Sequence, residues 1–292
     1  MIPEEIQHSL TSWFWENQRY NFQILSLKSL GGGSINNVLL LDTSMGKLCL
    51  KYNFSNAFPK MFENESDGLQ LLQSTGEIRV PRVIAVQVLS KYAYLLLEYI
   101  VPGRPVNDFM AEFGRSMARL HRHTEQHFGL SHDNYMGSLR QFNTIHSDWT
   151  SFFIQERLQR QVRMAIQAES LPSIAIRQFE KLYKLLENLL PKEKPSLLHG
   201  DLWSGNYLTT ENGKACLIDP AVYYGHREID IAMTTLFGGF DPCFYSGYQE
   251  IFALEPGWKE RIDLYNLYPL LIHLNLFGSG YLDSILGILR KF

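Results

Sequence analysis

This 292-residue sequence predicts an α+β protein of two lobes. Apolar runs of β character crowd the first hundred residues, helix-period patterns fill most of the rest, and Pro102-Gly103-Arg104-Pro105 marks the change. The expected division is 1–100 and 101–292, with a cleft near Glu98–Gly103.

Each element has a local reason. Trp13, Phe14 and Trp15 sit in a short opening helix. Three strands follow, expected over Phe22–Leu30, Val38–Asp42 and Lys47–Tyr52, because Gly31-Gly32-Gly33-Ser34 and Met45-Gly46 supply turns between apolar runs. A helix over Met61–Gln73 comes next. Strands over Val83–Leu89 and Tyr92–Ile100 then flank Ser90-Lys91, completing a five-stranded antiparallel sheet with one helix on it. Beyond residue 105, Met110, Phe113, Met117 and Leu120 recur at helical spacing. So do Phe153, Leu158, Val162 and Ile166, and then Ile176, Phe179, Tyr183, Leu186 and Leu190.

Composition narrows the function classes. Hydrophobic residues at 45% and charged residues at 20% describe an ordinary folded protein, not a disordered or fibrous one. Lys plus Arg number 27 against 30 Asp plus Glu, so no global basic field grips nucleic acid or an anionic membrane, and any phosphate site must be local. Three widely spaced cysteines, Cys49, Cys216 and Cys243, match neither a disulfide framework nor zinc-ligand spacing and read as reduced thiols in the cytoplasm. Met1-Ile2-Pro3-Glu4-Glu5 lacks signal-peptide character, and Lys91 and Glu98 interrupt the longest apolar stretch, so no membrane span is expected.

The chemistry is written in Leu197–Asn206 and in the apolar run Ala215–Ile218 that ends at Asp219-Pro220. Asp201 and Asn206 lie five positions apart on one loop, and Asp219 follows a short hairpin, which gathers three oxygen-bearing groups around one point. Hard Mg²⁺ takes carboxylate, amide and phosphate oxygens, so Asn206 and Asp219 suit the metal while Asp201 stays free as a base. A turn or helix-capping role is the alternative for each of them alone.

This arrangement resembles the protein-kinase-like phosphotransferases, whose loop runs His-x-Asp-x-x-x-x-Asn before a metal-binding Asp. The form His199-Gly200-Asp201, with Ile218-Asp219-Pro220 in place of Asp-Phe-Gly, points to the aminoglycoside- and choline-kinase-like branch, whose acceptors are small molecules. Gly200–Asn206 together with Tyr224–Met233 is similar to the fructosamine kinase (ketosamine 3-kinase) family. Gly31–Asn36, Met61–Leu69, Asn134–Gly137, Asp148-Trp149 through Arg157-Leu158, and Phe277–Tyr281 agree with it.

The resemblance implies a kinase-like fold with residues 1–100 as the nucleotide-binding lobe and 101–292 as the catalytic and acceptor-binding lobe. It implies ATP and Mg²⁺ as cofactors and transfer of the γ-phosphate to the 3-hydroxyl of a ketosamine, on a free amine or a glycated protein lysine, by a monomer or homodimer. The unstable product sheds the sugar remnant and frees the amine.

Site roles follow the same resemblance. Asp201 is the catalytic base, and Asn206 and Asp219 hold the metal. Lys51 contacts the α- and β-phosphates, with Glu65 rather than Glu63 as its partner on the next helix. Gly31, Gly32 and Gly33 form a flap over the phosphates, with Ser34 and Asn36 as polar contacts. Glu98, Tyr99 and Ile100 face adenine through their backbone. Asp230 braces the catalytic loop from below and His199 supports it. Trp203 stacks on the acceptor sugar or packs in the core, and His226, Arg227, Glu228 and Arg157 line the acceptor side. Two rival readings remain: a kinase for an aminoglycoside, choline or homoserine, and a silent pseudokinase acting as a binding module.

Overall fold

The computed structural model describes residues 2–31 and 35–292. Helix α1 (Glu4–Gln18) precedes strands β1 (Ile24–Ser29), β2 (Asn37–Thr43) and β3 (Gly46–Phe54). Helix α2 (Met61–Thr75) and strands β4 (Val83–Val88) and β5 (Tyr92–Glu98) follow. The five strands form one antiparallel sheet in the order β1-β2-β3-β5-β4, which makes β3 central and β1 an edge.

Alternation along β5 explains why both faces of this sheet are covered. Ala93, Leu95 and Leu97 face α2 with Phe62, Leu69 and Leu72, whereas Tyr94 and Leu96 join Ile6, Leu10 and Phe14 of α1. The sheet therefore carries two helices, not one. The four-residue recurrence of Ile6, Leu10 and Phe14 builds α1's buried stripe, while the neighbouring Trp15 is exposed. Each such side chain taken out of water contributes roughly 1.5–3 kcal/mol, which holds α1 on the second face.

Past β5 the protein is largely helical. Helix α3 (Phe109–Leu120) leads to a small hairpin of β6 (Asn134–Met136) and β7 (Leu139–Gln141). Helix α4 (Trp149–Phe152) then widens through a π-helical turn at Phe153–Leu158 before α5 (Gln159–Gln167) and α6 (Ser173–Leu189). Strand β8 (Ser196–Leu198) pairs with β11 (Tyr223–Gly225), and between them lies the hairpin β9 (Tyr207–Thr209) and β10 (Ala215–Leu217). Four helices close the chain: α7 (Glu228–Met233), α8 (Pro242–Ile251), α9 (Trp258–Phe277) and α10 (Leu282–Leu289). Helix α9 is buried almost all round, from Leu264 to Leu274, and forms the centre of this core. Among the described residues, no helix is long and apolar enough to cross a membrane.

Candidate active site

Lys51 lies mid-strand in β3, paired with Leu95 of β5, and its ammonium reaches down to two carboxylates. Glu65 Oε1 is 2.6 Å away, and Asp219 Oδ1 accepts from the same nitrogen. Burial alone would push the Lys51 ammonium down, but Asp219 and Glu65 outweigh it and hold the group up, so the lysine stays charged. Burial raises Glu65, with Lys51 opposing the rise. Helix α2 packs closely on the segment after Asp219 at Gly68, where a Cβ would stand 3.2 Å from a Val222 methyl. Asp219 itself adopts φ 55°, and its side chain is 48% exposed to the cleft.

The catalytic loop leaves β8 through His199-Gly200-Asp201. Gly200 has φ +83°, and a Cβ on it would stand 2.0 Å from the Ala221 carbonyl oxygen, so only glycine fits. Asp230 of α7 accepts the backbone N–H groups of His199 (2.8 Å) and Gly200 (2.9 Å) and the Nε2–H of His121 (3.2 Å). His199 Nε2–H donates to the Ile218 carbonyl at 3.0 Å, leaving Nδ1 to accept from Asp201 N–H at 3.3 Å. Burial holds the His199 pKa down and keeps the ring neutral for that pattern. Asn206 Nδ2 donates to both the backbone oxygen and Oδ2 of Asp201 at 2.8 Å, tying the two ends of the loop. Burial pushes Asp201 up to about 7, Asn206 working against the rise, so its carboxylate is far more basic than an ordinary one.

Asp201, Asn206, Asp219 and Lys51 line one cleft together with the aromatic side chains of Tyr135, Trp203, His273 and Phe277. Trp203 packs against the core and also lines the cleft. Its ring covers Gly205, where a Cβ would lie 2.3 Å from it, and meets Phe237 edge-on at 5.6 Å while facing the cleft. His273 has no counterpart among the sequence assignments. Its Nδ1–H donates to the Pro269 carbonyl at 2.7 Å, which leaves Nε2 as an acceptor, and its ring stands among Phe237, Phe277 and Tyr281. Its only sequence signal was proximity to the Phe277–Tyr281 segment.

Four assignments are corrected. Arg157, His226, Arg227 and Glu228 are buried and line no part of this cleft. Arg227 grips Glu193 at 2.7 and 2.8 Å and the Phe252 and Ala253 carbonyls, and Glu228 forks onto Arg261. His226 lies 3.7 Å from Glu193, and Arg157 is held in a separate polar cluster. Arg227 and Glu228 are neutralised inside the core by Glu193 and Arg261, where a pairing partner was available and solvent was not.

Glu98, Tyr99 and Ile100 form the passage out of β5 and border a second cavity with Arg79 and the β9–β10 turn. The Glu98 carboxylate pairs with Arg79 and accepts the Arg82 N–H at 3.3 Å. Gly31 ends β1's turn, with nothing within 4 Å of where a Cβ would stand, whereas Gly32, Gly33 and Ser34 lie outside the described residues. Asn36 accepts from Asn53 at 3.0 Å and lines the cleft.

Among the described residues, no three His, Cys, Asp or Glu side chains cluster as a self-sufficient metal cage. One exposed carboxylate, Asp219, and one amide, Asn206, whose Nδ2 is engaged with Asp201 and whose Oδ1 is left over, fit an ion that takes its other ligands from phosphate and water.

A charged lysine bridged to a helix glutamate, above a loop that presents Asp, Asn and a second Asp, defines a phosphotransferase of the protein-kinase-like fold. The family model described as Fructosamine kinase matches residues 6–292, and the chain belongs to the fructosamine kinase family. It is 41% identical to a probable ketoamine kinase of Vibrio parahaemolyticus, covering 91% of both chains. It is 38% identical to the chloroplastic protein-ribulosamine 3-kinase of Arabidopsis thaliana, covering 92% of this chain and 83% of that one. A solved candidate fructosamine-3-kinase from Haemophilus somnus 129PT superposes with a TM-score of 0.89 at 28% identity, covering 99% of each chain.

Proposed function

We propose that this protein transfers the γ-phosphate of ATP to the 3-hydroxyl of a ketosamine, the sugar adduct that glycation leaves on a free amine or a protein lysine. The carrying observation is that Lys51, Asp201, Asn206 and Asp219 share one cleft. Relatives named ketoamine kinase and protein-ribulosamine 3-kinase support the acceptor class. So does the acceptor side of the cleft: Tyr135, Trp203, His273 and Phe277 make it aromatic, whereas a polycationic aminoglycoside calls for carboxylates. We assign 1–100 to nucleotide binding, 101–292 to catalysis, and the reaction to the cytoplasm, where thiols such as the free Cys49, Cys216 and Cys243 stay reduced.

Asp201 accepts the proton of the 3-hydroxyl as its oxygen bonds to the γ-phosphorus and the bond to the ADP oxygen breaks. Its raised basicity suits that task near neutral pH. Lys51, released from Asp219 and steadied by Glu65, neutralises the α- and β-phosphates. Asn206 and Asp219 would hold Mg²⁺, which when bound would offset the charge of the phosphates. Trp203 gives the sugar a flat face, and His273 Nε2 accepts one of its hydroxyls.

The test is an ADP-release screen over fructosamine, ribulosamine and erythrulosamine adducts beside an aminoglycoside, with NMR location of the new phosphate. Turnover on a ketosamine with phosphate on carbon 3 is expected. Turnover confined to the aminoglycoside, or phosphate on another carbon, would overturn the reading. Neither turnover nor MgATP-induced thermal stabilisation would mark a silent binding module instead.

A further inference from the structure

The segments Asn134–Gly137 and Asp148–Leu158 stand out in the sequence; the first lines the cleft beside Asp201 and Asp219, and the second does not. The structure joins them in a buried polar cluster directly behind the turn that carries Asp219. Asn134 Nδ2 donates to the Val222 carbonyl at 2.8 Å. Gln141, its cross-strand partner in the β6–β7 hairpin, donates one Nε2 hydrogen to Asn134 Oδ1 (2.8 Å) and the other to the Ala221 carbonyl (3.0 Å). Tyr268 of α9 completes the Gln141 amide by donating to Oε1 at 2.8 Å. Asn143 donates to Asn134 Oδ1 at 3.1 Å and accepts from Arg157 Nη2 at 2.7 Å.

Arg157 sits on the π-helical turn, fully buried, and among the described residues no carboxylate pairs with it. Its guanidinium instead lies over the rings of Tyr223 (4.0 Å) and Phe152 (4.5 Å), with the Asn143 amide and the Phe142 carbonyl as acceptors. A buried cation without a counter-ion is costly, and so is any half-satisfied amide beside it. The Gln141 amide has both its hydrogens and its oxygen engaged, which is the property required of a support.

What it supports is specific. Asp219 adopts a left-handed φ, and the residues after it are held from two sides. Ala221 N–H donates to the His199 carbonyl at 2.9 Å on the catalytic-loop side, while the Ala221 and Val222 carbonyls are clasped by Gln141 and Asn134 on the other. Asn134 and its neighbour Tyr135 also line the cleft on the acceptor side.

We propose that Gln141 and Asn134 are positioning residues that set the Asp219 carboxylate for the metal-nucleotide and lock it in register with the acceptor floor at Tyr135. The proposal rests on the metal role assigned to Asp219 above. It makes the metal half and the sugar half of the site parts of one rigid piece, so a change in the clasp is felt by both ligands.

The test measures, by calorimetry on the whole protein, binding of a non-hydrolysable ATP analogue with and without Mg²⁺, and adds the acceptor KM from turnover. Gln141→Met keeps the volume and removes both donations. It should weaken Mg-dependent binding about tenfold, the lower end for loss of a group behind a metal ligand, and raise the acceptor KM, while Mg-free binding stays within about twofold. Leu182→Ala in the α6 core of the same lobe should lower the Tm comparably and leave Mg-dependent binding unaltered. Equal weakening in both variants, or none in Gln141→Met, would reduce the cluster to ordinary core packing and overturn the proposal. Should Gln141→Met fail to fold, Tyr268→Phe, which only frees the Gln141 amide, is judged by the same criterion. Asp219→Asn separates the two ideas: if it leaves Mg-dependent binding intact, the metal assignment fails and the proposal with it. If Asp219→Asn weakens that binding and Gln141→Met does not, only the clasp is lost.

Discussion

The segments His199–Asn206 and His226–Asp230 both crowd ionisable and polar side chains into a few positions, yet one opens onto the cleft and the other is buried. The first is a loop between β8 and β9, tied by Asp230 and by its own Asn206, which leaves Asp201 lining the cleft. The second enters α7, every residue of which is buried, so Arg227 and Glu228 must be neutralised by Glu193 and Arg261. Charge in a motif thus marks importance without marking function. In one region Asp201 faces the cleft, and in the other Asp230 holds the first region still while Arg227 and Glu228 are paired within the core.

Three changes would break or sharpen this contrast. The largest effect is expected for Asp201→Asn, which should cut kcat by about 10³-fold, within the usual range for loss of a general base, while MgATP still raises the Tm. Retained turnover would remove Asp201 from its role. Arg227→Met strikes the other region and leaves Glu193 buried without its partner. It should cost about 3–5 kcal/mol of stability, a Tm drop on the order of 10 °C, with the KM for MgATP of the folded enzyme unchanged. A stable variant with a raised acceptor KM would return Arg227 to the acceptor side.

The smallest effect is the pH response of His226. Burial pushes its pKa down to about 4, with Glu193 acting in the opposite sense. The unfolded chain takes up a proton near pH 6.5 that the native state refuses until about pH 4, so stability falls as pH drops through that window. The ceiling is on the order of 3 kcal/mol. Melting His226→Gln and the parent at pH 7 and pH 5 should give a shallower loss in the variant, and identical losses would show that the histidine is not the group responsible.

Much of this contrast was legible beforehand. The spacing of Asp201, Asn206 and Asp219 announced a shared site, and the pairing of Lys51 with Glu65 of the next helix followed from the resemblance to the kinase-like families. The second helix on the sheet was not, because the aromatic trio Trp13–Trp15 drew the eye while the stripe through Ile6, Leu10 and Phe14 did the packing. His273 stayed hidden inside the apolar pattern of α9, and the partnership of Asn134 with Gln141 and the Ala221 and Val222 carbonyls joins residues some eighty positions apart. Local pattern carries no trace of such a meeting.

The order of the sheet strands and the convergence of Asp201, Asn206 and Asp219 on one cleft were legible in the sequence itself, because they follow from side-chain period and short spacing, whereas the need for glycine at position 200 comes from Ala221, twenty-one positions away. Which charged residues would see solvent was decided only by the tertiary structure. A charge buried in the core is tolerable only when another part of the chain brings it a partner, as Glu193 does for Arg227 and the rings of Phe152 and Tyr223 do for Arg157, and that pairing exists only once the chain has folded.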